Sequence, residues 1–207
     1  MSNMTKADRV AILVRSGEPD QPFVRAIEHG GGQVLACGAS AAQLPPQAGG
    51  LLVAGTGAFG ETESVPTALL EAIDGRLPVL GIGWGMHALN VALGGRPPVR
   101  VEGHGDPHAG EDPVKHPVFI APGGKVSYTI AGSGWVTVPS AHTHGLMPGQ
   151  VADGLLASVY AEDRVVEAIE KPGHDWVIGV QWPAHLTDRT PKGFDSLLLA
   201  LVERSQQ

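Results

Sequence analysis

The stretch Pro78 to Gly95, PVLGIGWGMHALNVALGG, limits what this chain can fold into more than any other. It opens on a continuous apolar run, Val79-Leu80-Gly81-Ile82, as a parallel strand buried on both faces requires. Met86, Leu89, Asn90 and Leu93 then recur at helical spacing until Gly94 and Gly95 end the helix. Gly81, Gly83 and Gly85 occupy alternate positions between strand and helix, which predicts a turn too sharp for side chains at most of its positions. Such a turn is a nucleophile elbow: it lifts one residue above the sheet and aims backbone N–H groups at a reacting atom. The middle position here is Gly83, which has no side chain to react.

The rest of the chain supplies partners for that unit. Strands are expected at Val10 to Val14, Gln33 to Cys37 and Gly50 to Ala54. Helices are expected from Asp20 and Pro22 onward, and from Ser64 and Pro66 with Leu69, Leu70 and Ile73 inward. This alternation predicts an α/β fold, a doubly wound, mostly parallel sheet with ligands at the carboxyl ends of its strands. Short β-rich pieces follow at Val118 to Ala121, Val126 to Ile130, Trp135 to Val138, Leu155 to Tyr160, Val165 to Ile169 and Trp176 to Gln181. A final helix carries Phe194, Leu197, Leu198, Leu201 and Val202. Pro97 to Lys115 has Gly, Pro and charge without periodicity and reads as a flap, with His104 and His108 in it either solvated or joining the site. One domain over residues 1–207 is the expectation.

Composition narrows the function classes. Hydrophobic residues at 43% and charged ones at 17% describe an ordinary globular protein. A formal charge of -7, with 14 Lys plus Arg and no basic cluster, argues against nucleic acid and for a small-molecule ligand. No apolar run reaches the roughly 20 residues of a membrane helix, and the start, MSNMTKADRV, lacks the apolar stretch of a secretory signal, so a cytoplasmic location without membrane contact is expected. The single Cys37 ends the second strand rather than the elbow and reads as a small core residue. Gly55-Thr56-Gly57-Ala58-Phe59-Gly60 matches G-x-G-x-x-G, but it follows the third strand and no helix starts inside it, so no nucleotide is expected.

The elbow resembles that of the class I glutamine amidotransferases, and most of all their gamma-glutamyl hydrolase-like (peptidase C26) branch, where the turn reads Gly-Ile-Cys-Arg-Gly-Met-Gln. Matched residue by residue, the nucleophilic Cys falls on Gly83, the Arg on Trp84 and the Gln on His87. The second signature, Gly-Val-Gln-Trp-His-Pro-Glu, is matched by Gly179-Val180-Gln181-Trp182, and its His and Glu fall on Pro183 and His185. A third segment, Val-Asn-Ser-x-His-His-Gln, resembles Val138-Pro139-Ser140-Ala141-His142-Thr143-His144. The resemblance covers nearly the whole chain. It implies the flavodoxin-like amidotransferase fold, an oxyanion-type loop at Gly55, Thr56 and Gly57, a structural role for His116 and a ligand pocket that includes Trp84 and His87. It also implies that the Cys-His-Glu triad is missing.

The same matching sends His87, His142, His144 and His185 to the pocket. Neutral imidazole is the commonest ligand for Zn, Fe, Cu and Ni, so the set reads either as a centre for a transition metal ion or a haem, or as separate structural imidazoles. Trp84 is expected either to stack on a flat ligand or to fill the space the thiol vacates. Three function classes follow: a repurposed metal- or haem-dependent enzyme acting on a small amino-acid-like molecule; a catalytically dead binding or regulatory subunit, as a homodimer or beside a partner enzyme; and a gamma-glutamyl amide hydrolase. The last has neither attacker nor proton acceptor at the matched positions.

Overall fold

The computed structural model of the protein describes residues 9–37, 43–106 and 113–207. Strands β1 (Arg9–Val14), β2 (Gln33–Ala36), β3 (Gly50–Gly55) and β4 (Val79–Gly83) lie parallel in the order β2-β1-β3-β4. The short β5 (Val99–Arg100) leaves this sheet and pairs with β8 (His144–Gly145). The sheet then continues through β11 (Val177–Val180), β10 (Val166–Glu170), β9 (Leu156–Ala161), β6 (Val114–Ile120) and β7 (Gly134–Ser140), making nine strands. β11 is the junction, parallel to β4 on one side and antiparallel to β10 on the other. The α/β sheet expected from the alternation is thus present, with its β-rich half joined edge to edge.

Two helical layers cover the parallel half, and β1 shows why its run is unbroken. Val10, Ile12 and Val14 pack with Phe23 and Ile27 of α1 (Gln21–His29) and Leu197, Leu198 and Leu201 of α5 (Ser196–Arg204). Ala11 and Leu13 face the other way, into a layer with Leu69 and Ile73 of α2 (Thr67–Asp74) and Met86 and Leu89 of α3 (Trp84–Ala92). A strand buried on both faces has no use for polar alternation.

Three expectations are corrected. Val126 to Ile130 is no strand: Val126 to Thr129 belong to helix α4 (Lys125–Thr129) and Ile130 caps it, and the buried Glu170 carboxylate of β10 accepts from the backbone N–H groups of Lys125 (2.6 Å) and Val126 (2.9 Å), a tertiary cap that draws the segment into a helical turn. Leu70 points outward, 40% exposed, while Leu69 and Ile73 are buried as expected. The segment read as an unstructured flap contains β5 and the first residues of β6. No helix among the described residues is long and apolar enough to cross a membrane.

Candidate metal centre and the elbow cavity

The β4 to α3 turn has the backbone of an elbow. Gly83 sits at φ 57° and ψ -113°, a conformation that favours glycine, and a Cβ there would lie 2.5 Å from the carbonyl oxygen of Gly55. A cavity of about 60 Å³ lies against it, lined by Phe23, Gly55 to Gly57, Ile82, Gly83, Ala141, His142, Gln181, Pro183 and His185. That volume holds a few waters or one end of a small molecule.

Inside this frame several expected ligand contacts are already taken. The Thr56 N–H and hydroxyl both donate to the Glu18 carboxylate, at 2.8 to 2.9 Å, and the Thr56 carbonyl accepts from Arg15 at 2.9 Å. Thr56 therefore spends its polar groups on the protein. Trp84 is 2% exposed and packs on Phe59, and its indole N–H donates to Glu63 Oε1 at 3.0 Å. It fills core space and lines no part of the cavity. His87 is likewise absent from the cavity wall: fully buried on α3, its Nε2 lies 2.8 Å from Gln181 Oε1, and burial draws its pKa down to about 3.

The four expected metal ligands do not converge. His185 packs on the Phe23 ring at 4.3 Å, and burial alone draws its pKa down to about 4. His144 lies in β8, its Nδ1 3.1 Å from the Thr143 hydroxyl. Only His142 joins a ligand-like group, and its companions are His104, His116 and Glu167. One donor atom from each of these four lies within 4.8 Å of the others. His104, one of the two flap histidines, is 4% exposed, and both it and His116 belong to this group. His108 lies outside the described residues.

The tertiary fold assembles this group from separate stretches. His116 is on β6 and Glu167 on β10, two strands that flank β9; His104 and His142 come from the loops after β5 and β7. The His142 N–H donates to the His104 carbonyl at 3.0 Å, as does the Ser140 hydroxyl at 2.7 Å, which ties the two loops together.

Each imidazole is anchored by one nitrogen and leaves the other free. A carbonyl can only accept, so His142 Nδ1–H donates to the His144 carbonyl (3.0 Å) and His116 Nδ1–H to the Pro117 carbonyl (3.2 Å). His104 uses Nε2, 2.9 Å from Asp163 Oδ2. Among the described residues the remaining nitrogens, His104 Nδ1, His116 Nε2 and His142 Nε2, are buried without a hydrogen-bond partner, as are both oxygens of the fully buried Glu167. They stand 3.4, 3.7 and 3.4 Å from Glu167 Oε1. Those spacings are long for hydrogen bonds, but they approach the edge of a tetrahedron, about 3.3 Å, around an ion bonded at about 2.0 to 2.1 Å.

Electrostatics agree with a site for a cation. Burial opposes charge on Glu167, yet the facing His104 and His142 outweigh it and hold the carboxyl down at about 2. Burial lowers the His116 pKa, which favours a free lone pair there. For His104, burial is outweighed by Glu167 and Asp163, which raise the pKa, so an ion has to displace a proton from that ring. Three neutral-capable imidazoles and one carboxylate could hold a metal ion. Glu167 escaped the sequence reading; the available signal was Glu167 and Glu170 sitting in the otherwise apolar Val165-Val166-Glu167-Ala168-Ile169-Glu170.

Known proteins are similar over most of this chain. The Peptidase C26 family model matches residues 8–185. A candidate glutamine amidotransferase of Schizosaccharomyces pombe is 30% identical over 225 residues, covering 95% of this chain and 86% of that protein. One from Mycobacterium tuberculosis is 38% identical over 120 residues; the match covers 56% of this chain and only 38% of that relative. Among solved structures, a candidate GMP synthase component from Thermoplasma acidophilum superposes with a TM-score of 0.70 at 15% identity, covering 94% of each chain. The glutaminase domain of the Trypanosoma brucei CTPS, with bound acivicin, gives 0.69 at 16% identity, covering 95% of this chain and 93% of that one. At such identities the structures establish the shared fold alone. With its elbow, its strand order and a family match across residues 8–185, the chain belongs to the Peptidase C26 family of glutamine amidotransferase-like proteins.

Proposed function

We propose that this protein has given up thiol acyl transfer and works instead as a metal-dependent enzyme on a small amino-acid-like molecule, one end of which enters the elbow cavity. Gly83, Pro183 and His185 stand where the family resemblance places Cys, His and Glu. Cys37 offers no substitute: it is buried at the end of β2, and burial pushes its thiol pKa up.

The observation that carries the metal reading is the set of unpartnered atoms of His104, His116, His142 and Glu167 around one point. Three imidazoles and a carboxylate suit Zn, Fe, Ni or Cu rather than Mg or Ca. Convergence of four donors on a point suits a single ion better than a haem, which needs a broad flat slot and one or two axial ligands. A bound ion of this kind would supply a Lewis acid, and it would lower the pKa of a water that takes a fifth position beside the four protein ligands. His142 connects the two regions, as a cavity wall and as a candidate ligand.

A second reading, a catalytically silent binding or regulatory subunit, is favoured by the small cavity and by Glu18 holding the Thr56 amide. The first test is elemental analysis of the untagged protein with zinc, iron, nickel and copper titrations. Stoichiometric metal that is lost in His142→Ala and Glu167→Gln supports the reading; a protein that takes up none of these ions overturns it. Turnover of amino-acid amides or related acids by the loaded protein, lost in the same variants, separates enzyme from silent subunit.

A further inference from the structure

Resting on the metal reading above, we infer that Asp163 is the positioning residue of the centre: it fixes His104 in the ring state that presents Nδ1 to the shared point, and so sets how tightly the ion is held. Each of the three imidazoles needs its outer nitrogen protonated if the inner one is to ligate. For His116 and His142 a backbone carbonyl does this. His104 is turned the other way round, so its Nε2 needs a partner from elsewhere, and Asp163 Oδ2 at 2.9 Å is that partner.

The carboxylate is itself held in place. Asp163 Oδ1 accepts from the Val165 N–H at 3.1 Å, across a tight turn between β9 and β10 in which Arg164 adopts φ 72°. One oxygen orients the loop and the other the imidazole. Asp163 also differs from the two carbonyls in carrying a full charge. A divalent ion with Glu167 leaves one net positive charge, and Asp163, one imidazole away, offsets it and makes His104 the stronger donor.

Its location gives this contact a second consequence. The Asp163 side chain is 49% exposed and lines an outer pocket of about 200 Å³ with Glu102, Glu162, His104 and His116. The other two supports are main chain, whereas this one stands at the solvent side and can be changed without touching a ligand.

Zinc and cobalt affinities of the full chain, measured by competition with a chromophoric chelator, test this together with the visible spectrum of the cobalt form. Asp163→Asn should bind about 10 to 100-fold more weakly with an altered cobalt spectrum, Asp163→Glu should recover most of the affinity, and the metal-free melting temperature of Asp163→Asn should fall by at most about 4 °C, as the loss of one half-exposed ion pair allows. Asp163→Asn with native affinity and spectrum overturns the inference and leaves the centre standing. Equal loss in Asp163→Asn and Asp163→Glu, with a metal-free melting temperature lowered by more than this, assigns Asp163 to structure alone and overturns it too. A wild-type chain that takes up neither ion overturns both the centre and the inference.

Discussion

His142 Nε2 lies 3.4 Å from Glu167 Oε1, while the same residue lines the cavity beneath the elbow. The distance is too long for a good hydrogen bond and short enough for two ligands of one ion. A residue that the family resemblance puts at the glutamine pocket therefore also faces, with His104 and His116, a buried carboxylate that has no hydrogen-bond partner among the described residues.

Metal should stabilise the folded chain. An ion bound only by the native state, at 100 times its Kd, adds about 2.7 kcal/mol, which for a chain of this length is roughly 5 to 10 °C in Tm. Thermal unfolding with zinc, reversed by a chelator, reads this directly. His142→Ala should abolish the shift; a shift that persists in that variant places the ion elsewhere.

Placing a thiol at the elbow should not produce hydrolysis. Gly83→Ala and Gly83→Cys both put a Cβ 2.5 Å from the Gly55 carbonyl oxygen on a backbone with φ 57°. Each should cost about 1 to 3 kcal/mol in urea unfolding. Gly83→Cys should still release no ammonia from glutamine, because Pro183 offers no base. Ammonia release by that variant contradicts the proposed loss of the triad.

Acid should weaken the fold through two buried histidines. The pKa values of His185 and His87 are drawn down to about 4 and about 3 in the folded chain, below an unfolded value near 6.5. The unfolded chain takes up these protons first as pH falls. Stability is complete above about pH 6.5 and is lost toward pH 4 for His185 and pH 3 for His87, by up to about 1.4 kcal/mol per pH unit for each. In urea titrations from pH 7 to pH 4, His185→Phe should flatten this slope. An unchanged slope shows that His185 is hydrated in the folded state.

Glu170 should matter for folding and leave metal binding alone. Glu170→Ala strands the buried N–H of Val126 and the first N–H of α4 and should cost about 2 to 4 kcal/mol, with Glu170→Gln costing less because its amide oxygen can accept one of them. Urea unfolding measures the loss. A change below 0.5 kcal/mol (roughly the error of surface substitutions) would mean that water replaces the cap.

The run Val79-Leu80-Gly81-Ile82, the alternate glycines and the helical spacing of Met86, Leu89 and Asn90 were enough to predict a parallel strand, a sharp turn and a helix, because each of these preferences acts between near neighbours. An excess of imidazole was equally plain. Which imidazoles meet was not, since His104, His116, His142 and Glu167 span 63 positions along the chain (167 minus 104) and come together only through the order β10-β9-β6 and two tied loops. The flap composition around His104 spoke for solvent, and a carboxylate in a strand carries no sign of what it will face. Val126 to Ile130 shows the same limit, because its helix depends on a carboxylate 44 residues further on. Local sequence decided the elbow and its glycines; the pairing of distant strands decided the centre, because convergence of ligands is a property of three-dimensional neighbours that no spacing along the chain encodes.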